Sequence, residues 1–132
     1  MSGARQVVAV DIDPDAIDSA RASAQLNPRI GQIHWWVGDF RDRGWDALSG
    51  GPFEIVLANL TGGMLTSSAA RIRELVSRDG VLICSGFDEH EEPRVKDALA
   101  LTPHARFVEE GWVGLTLRDA VDSSDGAGST PR

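Results

Sequence analysis

The chain has 132 residues, 42% of them hydrophobic and 25% charged, the proportions of a single soluble globular domain with room for a real core. Its formal net charge of −7 argues against a surface built for nucleic acid or anionic membrane, both of which call for basic charge. Cys84 is the lone cysteine, which excludes a disulfide framework and a Cys-based zinc site, and His34, His90 and His104 show no metal-ligand spacing.

No apolar run approaches the roughly 18 residues of a membrane span. The opening MSGARQ is too short and polar for a secretory leader, so the expected location is the cytoplasm. Residues 6–11 (QVVAVD) read as a short buried strand rich in Val. A helix follows at once, with Asp13 as N-cap, Pro14 in the first turn and Asp15 favouring the positive helix end. Ile17, Ala20 and Ala24 recur on one helical face. Pro28 ends the helix, because the residue before a proline avoids helical geometry.

QIHWWV (32–37) is the second strand, and 38–52 reads as loop with one helical turn. FEIVLAN (53–59) is the third strand, TGG a tight loop, and 64–77 a helix with Leu65, Ala69, Ile72 and Val76 on one stripe. Residues 78–80 (RDG) turn the chain into VLICSG (81–86), the fourth strand. DEHEE (88–92) reads as the solvated start of a helix over 88–100, with Pro93 tolerated in its first turns. Two closing strands flank Glu110-Gly111, a hairpin signal. Trp35 and Trp36 are expected to pack on opposite faces of their strand. Trp112 reads as hairpin core, and Cys84 as an inert buried thiol. The domain spans 1–118, and the Gly/Ser/Asp-rich residues 119–132 read as a disordered tail.

Strands alternating with helices predict an α/β fold, a mostly parallel sheet covered on both faces, with an antiparallel strand near one edge. In such sheets ligands bind outside the carboxyl ends of strands. Asp11 ends the first strand, where a carboxylate either accepts from both hydroxyls of a ribose or begins a turn. Asp39, in VGDF, is either an acceptor for an adenine amino group, with Phe40 as an apolar wall, or an Asx-turn. Asn59, in VLANLTGG, either orients an amine or a cofactor carboxylate, with Gly62 and Gly63 admitting close approach, or is a turn residue. No G-x-S-x-G elbow and no Walker loop is present. The pattern suits a site that binds and positions, leaving the chemistry to a cofactor.

The segments VVAVDIDPDAI, VGDF, FEIVLANLTGGML, GVLICSGF and EEGWVGLTLR together resemble the class I S-adenosylmethionine-dependent methyltransferases. Within that class they look most like the lysine methyltransferases that modify the eleventh protein of the large ribosomal subunit. The resemblance covers residues 6–118 and is most specific in V-D-I-D-P-x-A-I, in A-N-L before a helix, and in the Glu-Glu-Trp-like close at Glu109, Glu110, Gly111 and Trp112. It implies a Rossmann-like sheet in the order 3-2-1-4-5-7-6, the first visible strand here being the second of that scheme. It further implies S-adenosylmethionine as cofactor and a protein substrate, with Asp11 on the cofactor ribose, Asp39 near the adenine, and Asn59 on the cofactor and the target amine. "Asn-Leu-Thr-Gly" stands where many amino-group methyltransferases carry Asn-Pro-Pro-Tyr.

The scheme's first strand, its acidic glycine-rich loop and the family's N-terminal recognition domain have no counterpart in these residues. That reading expects a truncated domain with both neighbours of the first strand left unpaired, weak cofactor binding and no useful catalysis. The alternatives are a non-catalytic α/β binding module and an NAD-binding Rossmann fragment. The latter would use Asp11 in the same way but calls for neither ANLTGG nor the closing hairpin.

Overall fold

The computed structural model describes residues 6–27, 32–44 and 51–119. Pro28, residues 45–50 of the expected loop, and all of the expected tail except Asp119 lie outside the described residues. The chain divides into two units, Met1–Gly50 and Gly51–Arg132.

The first unit carries β1 (Val7–Asp11), α1 (Pro14–Gln25) and β2 (Ile33–Val37). The strands pair in parallel, from Val7 opposite Ile33 to Asp11 opposite Val37. Helix α1 starts where the sequence predicts. Asp13 is extended (φ −92°, ψ 112°) and its carboxylate accepts from the Asp15 amide at 2.9 Å, which satisfies one of the helix's unpaired donors. Of the predicted apolar stripe, Ile17 is buried, Ala24 is half-buried and Ala20 is exposed. The Arg21 guanidinium sits 6.0 Å from the centre of the Trp35 ring, a cation–π contact between helix and strand. Trp36 folds over Gly38, where a Cβ would come within 2.7 Å of the indole nitrogen. Both tryptophans are half-buried.

The second unit carries β3 (Phe53–Asn59), α2 (Gly62–Ser67), α3 (Ala69–Leu75), β4 (Val76–Asp88), α4 (Glu92–Leu99), β5 (Thr102–Glu109) and β6 (Trp112–Arg118). Its sheet runs β3-β4-β6-β5. β3 and β4 are parallel, and β6 lies antiparallel between β4 and β5. This is the 4-5-7-6 half of the expected order, and β1-β2 is its 2-3 pair. The β5–β6 link is a two-residue turn with both φ positive, 53° at Glu110 and 85° at Gly111. That backbone twist matches the twist of the strands it joins.

The helix predicted over 64–77 is two helices, and Gly62 and Gly63 belong to the first rather than to a loop. Thr61 caps it, accepting from the Met64 amide at 3.2 Å. The break falls at Ser68 (φ −108°, ψ 15°). It follows a Thr-Ser-Ser run in which Thr66 turns its hydroxyl back onto the Gly62 carbonyl at 2.7 Å, a bond that competes with regular helix. Val76 leaves the helix to pair with Phe53. Residues 78–80 are therefore an irregularity inside β4: Phe53 faces Val76, yet Ile55 faces Val81, with Asp79 at φ 66°.

Alternate residues of the sheet face the core. Leu82, Cys84, Leu115 and Leu117 are buried, and Leu65, Ile72, Val95 and Leu99 from the helices complete the layer. On the opposite face Ile55 is 63% exposed and Leu57 74%. Within the second unit, coverage of both faces, expected from the alternation of elements, is not met among the described residues: α2, α3 and α4 close over the buried face, and Ile55 and Leu57 stand exposed on the other. β1 and β3 each have a single ladder partner among the described residues.

DEHEE is not a uniformly solvated helix start. Helix α4 begins at Glu92, which is buried. Its carboxylate accepts from Arg106 Nε at 2.7 Å and from Arg106 Nη2 at 2.8 Å, and Lys96 Nζ stands 3.7 Å away. This two-point pair ties α4 to β5. At the far end of α4, Arg73 of α3 donates to the carbonyls of Ala98 (2.6 Å) and Leu99 (3.2 Å), which lie beyond the helix's own hydrogen bonds.

Two outcomes follow from this packing. The Arg106 guanidinium holds the Glu92 carboxyl below the ordinary glutamate range, so the pair stabilises the fold above about pH 4.3 and the contribution is lost as pH falls through the lowered value. Arg106→Ala will lower the midpoint of urea unfolding at neutral pH, and the gap to the unaltered protein will narrow as pH falls below about 4.3; a gap of the same size at neutral and at acidic pH would refute the assignment. Burial pushes the Cys84 thiol up to about 11, so iodoacetamide at mildly alkaline pH will leave the native thiol unlabelled and alkylate it after unfolding. Rapid labelling of the native protein would contradict a closed core at β4.

Candidate functional site

In the first unit, two carboxylates stand at the carboxyl ends of parallel strands. The Gly38 amide donates to the Asp11 carbonyl at 2.9 Å, which fastens the end of β2 to the end of β1 and sets Asp39 just beyond. Asp11 is exposed. Its Oδ1 accepts from the Asp13 amide at 2.9 Å, so the residue does shape the turn into α1. Its Oδ2 has no partner among the described residues, which leaves one oxygen and a spare lone pair of the other facing outward.

Asp39 is differently placed. Its Oδ1 accepts from the Arg41 amide at 2.9 Å, the Asx-turn that the sequence offers as one reading. The Arg41 side chain closes on the same carboxylate, with Nε at 2.9 and 3.0 Å from the two oxygens and Nη2 at 2.6 Å from Oδ2. The guanidinium holds the Asp39 carboxyl down at about 2. Both oxygens are thus occupied, and Arg41, 47% exposed, has to swing out before Asp39 can accept from anything else.

Asn59 belongs to the second unit, at the carboxyl end of β3. The Leu60 amide donates to the Ser85 carbonyl at 2.9 Å, and the Ser85 hydroxyl reaches Asn59 Oδ1 at 3.4 Å. The Asn59 amide nitrogen has no partner among the described residues. Gly86 fixes this corner. Its φ is +104°, and a Cβ there would lie 2.5 Å from the Leu60 carbonyl oxygen and 2.9 Å from Asn59 Oδ1. Only glycine supports that conformation and that approach together. Gly62 and Gly63 do not form the open loop the sequence suggests. Gly62 lies under the Glu91 side chain, while a Cβ on Gly63 would meet nothing within 4 Å.

The structure therefore joins Asp11 and Asp39 at one edge of the first unit, and Asn59, Ser85 and Gly86 at one corner of the second. Beside that corner runs an open groove of about 320 Å³ lined by Ser85, Gly86, Phe107, Glu109, Glu110 and Trp112. Trp112, expected in the hairpin core, is 60% exposed. The two-residue turn sets the hairpin register, which pairs Trp112 with Glu109 and turns Val113, Leu115 and Leu117 inward. Arg41 and the groove escape the sequence reading. Counting alternate residues outward from the Glu110-Gly111 turn would have found the groove.

The Arg41 clamp makes a measurable claim. Asp39 will remain ionised to about pH 2 in a carboxyl-carbon NMR titration, and Arg41→Ala will bring its midpoint back towards the ordinary value of about 3.9. An unmoved midpoint would mean that the guanidinium does not hold the carboxylate in solution.

The family profile described as "Ribosomal protein L11 methyltransferase (PrmA)" matches residues 1–120. A ribosomal protein L11 methyltransferase of Ectopseudomonas mendocina is 34% identical over 116 residues, which are 86% of this chain and 38% of that protein. One from Pelobacter propionicus is 34% identical over 122 residues, 90% of this chain and 38% of that protein. The chain thus spans well under half the length of these relatives. The crystal structure of a ribosomal protein L11 methylase from Lactobacillus delbrueckii subsp. bulgaricus superposes with a TM-score of 0.74 at 26% identity, covering 89% of this chain and 60% of that one. That likeness carries the same α/β, Rossmann-like architecture. On the match over residues 1–120, this chain belongs to the ribosomal protein L11 methyltransferase (PrmA) family.

Proposed function

We propose that this chain is the cofactor- and acceptor-binding part of an S-adenosylmethionine-dependent methyltransferase acting on lysine and other amino groups of a ribosomal protein. The observation that carries the reading is that Asp11 and Asn59 are exposed polar side chains ending parallel strands at their carboxyl ends, each with hydrogen-bonding capacity unspent. Asp11 offers Oδ2 and the free lone pair of Oδ1 to two adjacent ribose hydroxyls, which need paired acceptors. Asp39 takes the adenine amino group once Arg41 has swung aside, and Phe40 stands beside it as an apolar wall. S-adenosylmethionine, when bound, supplies a methyl group on a positively charged sulfur.

Asn59 both donates and accepts through one amide, so it can hold an uncharged amine by its N–H while leaving the nitrogen lone pair free. Such alignment is where acceleration arises when a protein contributes position rather than acid or base. The Ser85 hydroxyl and the space kept by Gly86 fix the rotation of that amide.

Calorimetric titration with S-adenosylhomocysteine tests the cofactor half. Weak but saturable binding is expected, and Asp11→Ala will weaken it further by about tenfold or more, the loss of a charged acceptor. Asp13→Ala, which removes only the helix cap, will leave the affinity of the folded protein unchanged. Equal binding by Asp11→Ala and the unaltered chain, or no saturable binding at all, would overturn the reading.

A further inference from the structure

The groove beside Asn59 has a chemistry of its own. Phe107 lies across Gly114 on the neighbouring strand, so close that a Cβ on Gly114 would come within 2.6 Å of the ring. The missing side chain lets the ring lie flat as an apolar floor, yet the ring remains 67% exposed. Trp112 stands exposed beside it, opposite Glu109. Glu109 and Glu110 complete the wall, and neither has an ion-pair partner among the described residues. Arg106, the nearby cation of β5, is committed to Glu92 and Glu89. The inner end of the groove is Ser85 and Gly86, the residues that fix Asn59.

Two unpaired carboxylates beside two exposed aromatic faces complement a cation on an apolar stem. We propose that this groove receives the side chain of the acceptor lysine. Its butyl stem lies on Phe107 and Trp112, its charged amine is drawn in by Glu109 and Glu110, and the inner end delivers that amine to Asn59. The inference rests on the amino-group methyltransferase reading and extends it by naming where the acceptor is held. It commits to lysine over arginine because an amine that passes its proton to bulk water is left with the lone pair that accepts a methyl group, whereas a guanidinium stays charged.

The test is a titration of the ¹⁵N-labelled full chain, following the Trp112 indole resonance, assigned from Trp112→Phe. Nα-acetyl-lysine amide is expected to shift it saturably, and the uncharged Nα-acetyl-norleucine amide is not. The double variant Glu109→Gln, Glu110→Gln will bind the lysine compound about threefold more weakly or worse, with an unchanged circular dichroism spectrum. Equal shifts from lysine and norleucine compounds, or no shift from either, would overturn the proposal. Asp11→Ala separates the two claims, because it will lose S-adenosylhomocysteine affinity and keep the Trp112 response. A chain that binds the lysine compound but not the cofactor refutes the cofactor reading alone. A chain that binds only the cofactor refutes the groove.

Discussion

The second unit depends on strand β4. Among the described residues it is the one strand that pairs in parallel on one edge, with β3, and antiparallel on the other, with β6. Its inward residues Leu82 and Cys84 are fully excluded from water, and burying a side chain of leucine size is worth about 1.5–3 kcal/mol. Helices α2, α3 and α4 are short and would be marginal alone. They persist because Leu65, Ile72, Val95 and Leu99 close over that strand layer. A polar group placed at Leu82 would unseat both neighbours of β4 as well as the helices above.

The same strand organises the site. Parallel pairing with β3 brings the carboxyl ends of both strands to one edge, so Asn59 and Ser85 emerge side by side. The ladder ends there, backbone groups become free to meet a ligand, and polar side chains can stand exposed without disturbing the core. In the first unit the parallel β1–β2 pair repeats the arrangement with Asp11 and Asp39. The two carboxylates have different standing. Asp11 keeps an oxygen open after shaping its turn, whereas Asp39 is closed by Arg41. A binding role for Asp39 is therefore coupled to the movement of an arginine, a dependence absent at Asp11.

Antiparallel β6 shapes the remaining surface. Its two-residue turn fixes register, and with a side-chain period of two, register decides which residues face out. Val113, Leu115 and Leu117 are committed to the core, and Trp112 is delivered to the open face with Phe107 across from Gly114. Exposed aromatics of this size beside unpaired carboxylates are costly to leave in water and informative when found. On the opposite face of β5, next to Phe107, the Glu92–Arg106 pair uses a buried charge to hold α4 to β5, where an apolar contact would serve but would not fix position as tightly.

Local chemistry wrote much of this protein legibly. Asp13 and Pro14 fix the start of α1, and Glu110-Gly111 fixes the hairpin, because caps and tight turns are decided by a few adjacent residues. The Val-rich and alternating runs marked all six strands, and polar residues at strand ends marked Asp11, Asp39 and Asn59 before any fold was known. The rest belongs to tertiary structure. The split of the long helix at Ser68, the extension of β4 back to Val76, the burial of Glu92 and the exposure of Trp112 all turn on partners distant in the chain: Phe53 for Val76, Arg106 for Glu92, the inward side of β6 for Trp112. Sequence periodicity states which residues share a face. Whether that face is covered, and by what, is decided only when strands far apart in the chain pair.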